Sequence, residues 1–137
     1  LDDLVDRLAT LPLFVDLPGP RLSWIAHEFE EQLFPQGQRI LRQGLSGSGL
    51  YVVTDGEAMV VIDGEERVRL GRGDFFGEVS VLLGEAPTAD VVAATPLRCL
   101  VVPEPQVRGF LLANPEVTLR MLQSEARRLA STLRWLA

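Results

Sequence analysis

The stretch from Phe29 to Val102 limits the fold more than any other feature of this sequence. Short runs rich in Val, Ile, Leu and Tyr are cut there by Gly44, Gly47, Gly49, Gly56, Gly64, Gly71, Gly73 and Gly77. Runs of that length between turn residues predict strands, because a helix needs a longer uninterrupted pattern of period 3.6. Asp63-Gly64, set between Met59-Val60-Val61-Ile62 and Val68-Arg69-Leu70, predicts a tight hairpin, since Gly accepts the positive φ such turns demand. About eight strands at this spacing predict a mainly β fold, a jelly-roll-like β-roll of two sheets.

The flanks follow a different period. Leu1, Leu4, Val5 and Leu8 stand at helical spacing in a first short helix over Asp2 to Ala9, which Leu11-Pro12-Leu13-Phe14 ends. Pro18-Gly19-Pro20 opens a second helix, to about Glu28. After Pro103 a helix is predicted around Gln106 to Ala113. A long one then runs from Asn114-Pro115 to Ala137, with Asn114 as its cap and Pro115 in its first turn. The expected organisation is a single domain over 1–137: N-terminal helices in 1–28, the β-roll in 29–102 and C-terminal helices in 104–137. In the last helix Leu119, Leu122, Ala126, Leu129, Leu133 and Leu136 alternate spacings of three and four, the a/d pattern of a two-stranded coiled coil. Two readings of this stripe stand open: the seam of a homodimer, or a face packed on the chain's own β-roll.

Composition narrows the chemistry. With 47% hydrophobic and 23% charged residues the chain is ordinarily globular, and no apolar run approaches the ~20 residues that span a bilayer. No export leader is apparent, so the expected location is the cytoplasm. Net charge is −6, and the thirteen basic residues, all Arg, are scattered apart from Arg127 and Arg128, which leaves no basic stripe for nucleic acid. Cys99 is the sole cysteine and sits in the apolar run Leu97 to Val102, a core position rather than a reactive one. His27 is the sole histidine. A metal-dependent jelly-roll enzyme of the cupin type uses two or three His with a carboxylate, so that class is excluded, and His27 reads as a surface or helix-packing residue. No Ser/His/Asp set, Cys/His pair or Walker loop can be assembled, so no enzyme and no cofactor is expected.

One segment carries a candidate site. Gly71 to Ala93 reads Gly-Arg-Gly-Asp-Phe-Phe-Gly-Glu-Val-Ser-Val-Leu-Leu-Gly-Glu-Ala-Pro-Thr-Ala-Asp-Val-Val-Ala. A Gly-rich turn runs into Phe76-Gly77-Glu78 and a short apolar stretch long enough for one or two helical turns. A helix start presents free N–H groups to an anion, and Gly77 lets a ligand approach the backbone. Glu78 is an acceptor suited to paired hydroxyls such as those of a ribose. The alternative is that Gly77 only permits a turn and Glu78 only favours the helix start.

This segment resembles the phosphate-binding cassette of cyclic-nucleotide-binding domains: Gly-Asp, an aromatic, Phe-Gly-Glu, a short apolar helix, then Arg, a small residue, Ala and Val. The resemblance extends over almost the whole chain. Leu11-Pro12-Leu13-Phe14 and Leu17-Pro18 resemble the family's leading helical motif, Gly37 to Gly44 its first strands, and Leu50-Tyr51-Val52-Val53 with Gly56 the strand before its central hairpin. Asn114-Pro115-Glu116, Ala126-Arg127-Arg128-Leu129 and Thr132 resemble the terminal helix of the bacterial catabolite-activator branch. It implies a non-enzymatic sensor domain with cyclic AMP as first candidate ligand and cyclic GMP as second. Glu78 would bind the ribose 2′-hydroxyl. Backbone groups near Phe76, Gly77, Val79 and Ser80 would line the cyclic phosphate beside Thr88 and Ala89, and Val68 and Leu70 would wall the base. Thr132 would reach the purine, the alternative being a solvated helix residue. Trp135 is a lid by residue type alone, against packing or a partner contact.

The resemblance breaks at Pro87, which stands where the family's phosphate-binding Arg belongs, and Asp90 stands where Thr is frequent. Asp90 would repel an anion if it pointed inward, and no basic residue lies between Arg72 and Arg98 to compensate. Two functions therefore follow: a sensor of a small anionic ligand, or a ligand-independent dimerisation or docking module. In either case a fused effector segment beyond the chain is expected to supply the output, with no nucleic-acid or membrane partner for the chain itself.

Overall fold

Two helices lead the chain, α1 (Asp2–Leu8) and α2 (Gly19–Glu28), in a computed structural model that describes residues 2–45 and 49–136, with side chains over 3–45 and 49–133. Leu1, Gly47 and the side chains of Trp135 and Leu136 lie outside the described residues. Pro20 falls in the first turn of α2, where its missing N–H costs no helical hydrogen bond. Eight strands follow among the described residues: β1 (Glu30–Phe34), β2 (Arg39–Leu41), β3 (Gly49–Asp55), β4 (Ala58–Ile62), β5 (Glu65–Leu70), β6 (Phe75–Phe76), β7 (Asp90–Ala93) and β8 (Leu97–Pro103). A short helix, α3 (Glu78–Leu83), interrupts them, and α4 (Glu104–Ala113) and α5 (Pro115–Leu136) close the chain.

The strands form two four-stranded antiparallel sheets, ordered β1-β8-β3-β6 and β2-β7-β4-β5. β3 and β8 are covered on both faces, which is why their sequences read as nearly unbroken apolar runs. Alternation splits each strand between two cores. Val53, Leu97, Cys99 and Val101 point between the sheets, where they meet Phe34, Leu41, Ala58 and Val91. Leu50, Val52, Leu100 and Val102 point the other way, against Phe14, Ile25, Phe110, Val117 and Met121 of the helical layer. Cys99 is fully buried, and burial pushes its thiol up to about 12, so it holds a core position with no thiolate to react. The hairpin forms at Asp63-Gly64 with φ of 52° and 80°, both positive as the tight two-residue turn requires.

Two details differ from the sequence reading, and a third decides between its alternatives. Helix α4 starts at Glu104, two residues before Gln106, because Pro105 is tolerated in a first turn. Asn114 holds the cap position of α5 only through its carbonyl, which accepts the Thr118 N–H at 3.0 Å. Its side chain turns back: Nδ2 donates to the Phe110 carbonyl at 2.8 Å and Oδ1 accepts from Arg21 at 3.4 Å, so it closes α4 instead of capping α5. Third, among the described residues the leucine stripe of α5, left open between a dimer seam and a face on the β-roll, does not pack on the roll. Leu119, Leu122, Leu129 and Leu133 are 50–62% exposed, and Val117 and Met121 make the buried face instead.

His27 lies on the exposed side of α2, with Nδ1 2.7 Å from the Ser23 carbonyl oxygen. Among the described residues no three His, Cys, Asp or Glu side chains are grouped to hold a metal ion, and no helix is long and apolar enough to cross a membrane.

Candidate functional site

The site begins with a closed turn. Asp74 accepts the Gly71 N–H through Oδ2 at 2.8 Å and sends the chain into β6, which pairs with Tyr51 and Val52 of β3. The Phe76 ring stacks on Tyr51 with centroids 4.8 Å apart and planes 3° from parallel. Gly77 follows at φ 91°, where a Cβ would stand 2.1 Å from the Gly49 carbonyl oxygen, so no other residue fits without moving backbone. That tight crossing turns the chain into α3 and carries Glu78 inside, to 3% exposure.

The return loop is tied at both ends. Ser80 donates its hydroxyl to the Glu85 carbonyl at 2.6 Å while Glu85 N–H donates to the Ser80 carbonyl at 3.2 Å. Pro87 is buried, and its carbonyl accepts the Gly44 N–H at 2.9 Å, which docks the loop on the β2–β3 connection. Asp90 does not point inward. Its Oδ1 accepts the Gln43 N–H at 2.7 Å and its Oδ2 lies 3.7 Å from Arg39 Nε, so the expected repulsion is removed by a partner on β2.

These elements and α5 enclose a cavity of about 540 Å³, within the range that takes small-molecule ligands. Every residue singled out from the sequence as ligand-binding reaches it. Phe76, Gly77, Glu78, Val79 and Ser80 line one side, Pro87, Thr88 and Ala89 the loop, Val68 and Leu70 the opposite wall, and Thr132 the α5 side. Leu41, Val60 and Val91 extend the apolar wall. Thr132 donates its hydroxyl to the Arg128 carbonyl at 3.1 Å, which leaves it acceptor capacity only.

Two cations on this cavity escaped the sequence reading, Arg67 and Arg128. Strand alternation would send Arg67 away from the face that holds Val68. The β4–β5 register slips between Val60↔Val68 and Val61↔Glu66, so Arg67 is the extra residue of a bulge and lines the same cavity as its neighbour. A bulge leaves no mark in the sequence. Arg128 reaches in from α5 by laying its guanidinium over the Phe75 ring at 5.2 Å, with Nη1 3.5 Å from Glu125. Its place on the face opposite Leu122 and Leu129 is the helical signal that could have found it.

Glu78 is the electrostatic centre. Burial, then a hydrogen bond with Glu125 and that group's negative charge, push its carboxyl up to about 8, and Arg128 pulls partly the other way. Its Oε2 is buried with no hydrogen-bond partner among the described residues. A buried oxygen without a donor costs folding free energy.

Residues 31–114 match the model of the cyclic nucleotide-binding domain family. A cGMP-dependent protein kinase of Caenorhabditis elegans is 30% identical over 137 residues, covering 96% of this chain and 17% of that protein. The chain spans 13–29% of the length of the curated relatives it matches. Among solved structures, the catabolite activator protein of Thermus thermophilus superposes with a TM-score of 0.80 at 30% identity, over 91% of this chain and 61% of that one. A triple variant of the regulatory subunit of a cAMP-independent protein kinase A from Trypanosoma brucei, in which one change introduces an arginine, is bound to cAMP in its A site. It superposes with a TM-score of 0.78 at 26% identity, over 96% of this chain and 51% of that one.

Proposed function

The chain belongs to the cyclic nucleotide-binding domain family, and we propose that residues 1–137 serve as one non-catalytic regulatory module whose cavity takes a small nucleotide-class ligand, cyclic AMP first and cyclic GMP second. The observation that carries this reading is Glu78, an almost fully buried carboxyl with an orphaned oxygen on a cavity walled by Val68, Leu70, Val60 and Leu41. That pairing suits a ribose hydroxyl against Glu78 and a base against the wall. The backbone at Gly77, Val79 and Ser80, with Thr88 and Ala89, lies where a cyclic phosphate would be cradled, and Thr132 closes the α5 side.

Pro87 sets the affinity. It stands where the family carries an Arg, and the cavity's positive charge comes instead from Arg67 and Arg128, on β5 and α5. Both are half-exposed and already face Glu65 and Glu125, so they replace a buried bidentate fork only in part. The Trypanosoma brucei subunit supports this reading by analogy: the kinase is cAMP-independent, and a variant that gains an arginine is bound to cAMP.

Titration calorimetry with cyclic AMP on the wild type and on Pro87→Arg tests the proposal. Two charge-assisted hydrogen bonds of roughly 1.5 to 3 kcal/mol each predict a gain of about a hundredfold or more for the variant over a weak wild type. Binding by neither protein would sink the ligand assignment. Tight wild-type binding with no gain in the variant would show that Pro87 is not the limiting position.

The leucine stripe favours a homodimer as part of the same module. Leu119, Leu122, Ala126, Leu129 and Leu133 are all exposed on one side of α5, at a/d spacing and unburied by the roll among the described residues. A ligand that contacts Arg128 and Thr132 would then bias the arrangement of two paired helices, the differential contact a switch requires. An effector segment of a longer protein, as in the related kinase, would read that bias.

A further inference from the structure

We propose that a second cavity, of about 400 Å³ between the N-terminal segment, the β5–β6 turn and α5, is a binding site for a phosphate-type oxyanion. In a chain of net charge −6, three arginines, Arg72, Arg120 and Arg127, line this cavity against one lining carboxylate, Asp74, with Glu116 paired to Arg120. Asp74 has Oδ2 committed to the Gly71 N–H.

Two of the cations are held in place, Arg72 by neutral groups alone and Arg120 by two carbonyls together with an ion pair to Glu116. Arg72 donates from Nη1 to the Thr54 carbonyl at 3.0 Å and from Nη2 to the Thr10 hydroxyl. Arg120 donates from Nη1 to the Leu13 and Val15 carbonyls at 3.1 and 2.7 Å, with Glu116 meeting its Nη2 at 3.3 Å. Each guanidinium has five N–H donors, so both keep some unspent. Arg127 has no hydrogen-bond or ion-pair partner among the described residues. Ser124 and Gln123, also on the cavity, add neutral donors.

Three arginines around one cavity, two of them held in place, suit a tetrahedral dianion better than a carboxylate, because a phosphate offers more acceptor oxygens and twice the charge. The site is distinct from the larger cavity, with which it shares no lining residue. Successive residues of α5 serve the two: Arg128 lines the larger and Arg127 the smaller.

The test is a titration of the full chain with inorganic phosphate at constant ionic strength, followed by NMR of the arginine Nε–H groups. Saturable shifts at Arg72, Arg120 and Arg127 are expected, about tenfold weaker in Arg127→Gln and unchanged in affinity in Arg108→Gln, an exposed position on α4 that lines neither cavity. O-phosphoserine run in parallel distinguishes the source: tighter binding than inorganic phosphate points to a phosphorylated side chain, equal binding to the free ion. Non-saturating shifts, an unchanged affinity in Arg127→Gln, or shifts centred on Arg67 and Arg128 would overturn the assignment.

Discussion

The two faces of α5 both carry apolar residues and meet opposite fates. On one, Val117 and Met121 are at most 4% exposed and Arg128 and Thr132 reach the larger cavity. On the other, Leu119, Leu122, Leu129 and Leu133 are half or more exposed. The inner residues have a partner in Leu50, Val52, Leu100 and Val102 of β3 and β8, which present a second apolar face only because both strands are sandwiched. The outer residues repeat the spacing of a coiled-coil seam. Hydrophobic periodicity thus marks what can be buried, and the layer beneath decides which stripe is buried within one chain.

The largest effect that would break this contrast is loss of self-association. In a symmetric pair each leucine is counted twice, and about 1.5 kcal/mol for each buried side chain puts Leu122→Glu with Leu129→Glu at a cost of about 6 kcal/mol or more in dimer stability. Sedimentation velocity should show a wild-type dimer and a monomeric double variant with an unaltered circular dichroism spectrum. A wild type that sediments as a monomer at high concentration would remove the seam.

The inner face is tested by stability within one chain. Met121→Ala should lower the unfolding free energy by about 2 to 5 kcal/mol, whereas Leu122→Ala, one position on, should change it by no more than about 0.5 kcal/mol at concentrations where the chain is monomeric. Urea unfolding measures both. Equal losses would mean that α5 sits in another rotation about its axis.

How much of this was legible follows from which signals are local. The β-roll was, since glycine punctuation and the Asp63-Gly64 turn act over a few residues and nothing in the packing opposes them. The side of the cavity built from Phe76 to Ala89 was, since one continuous segment carries it. Arg67 was not, because it depends on a register slip between two strands. The fate of the α5 stripe was not, because it depends on what lies under the helix. The direction of Asp90 was not, because its partners, Gln43 and Arg39, come from another strand and loop.

A third effect, read as a dependence on pH, concerns the charge that the inner face of α5 brings to Glu78. Glu125 raises and Arg128 lowers a carboxyl already raised by burial, from an ordinary 4.5 to about 8. Between those values the folded chain holds a proton that the unfolded chain has lost. This group's contribution to stability is therefore full below about 4.5 and is lost as pH rises through about 8. Glu78→Gln, which keeps the neutral shape, should unfold at higher urea than the wild type near pH 8.5, and the gap should narrow as pH falls and close towards pH 4.5, since each pH unit in this range is worth at most about 1.4 kcal/mol. Ligand affinity should run the other way. Hydroxyls that donate to Glu78 favour its carboxylate, so binding must expel the proton below about 8, and affinity should climb with pH by up to about tenfold per unit before it levels. Calorimetry in two buffers of different ionisation enthalpy would register that released proton. A wild type with pH-independent affinity and no proton release would mean that Glu78 meets its ligand protonated, as a donor, and that the inner face of α5 tunes nothing in the cavity.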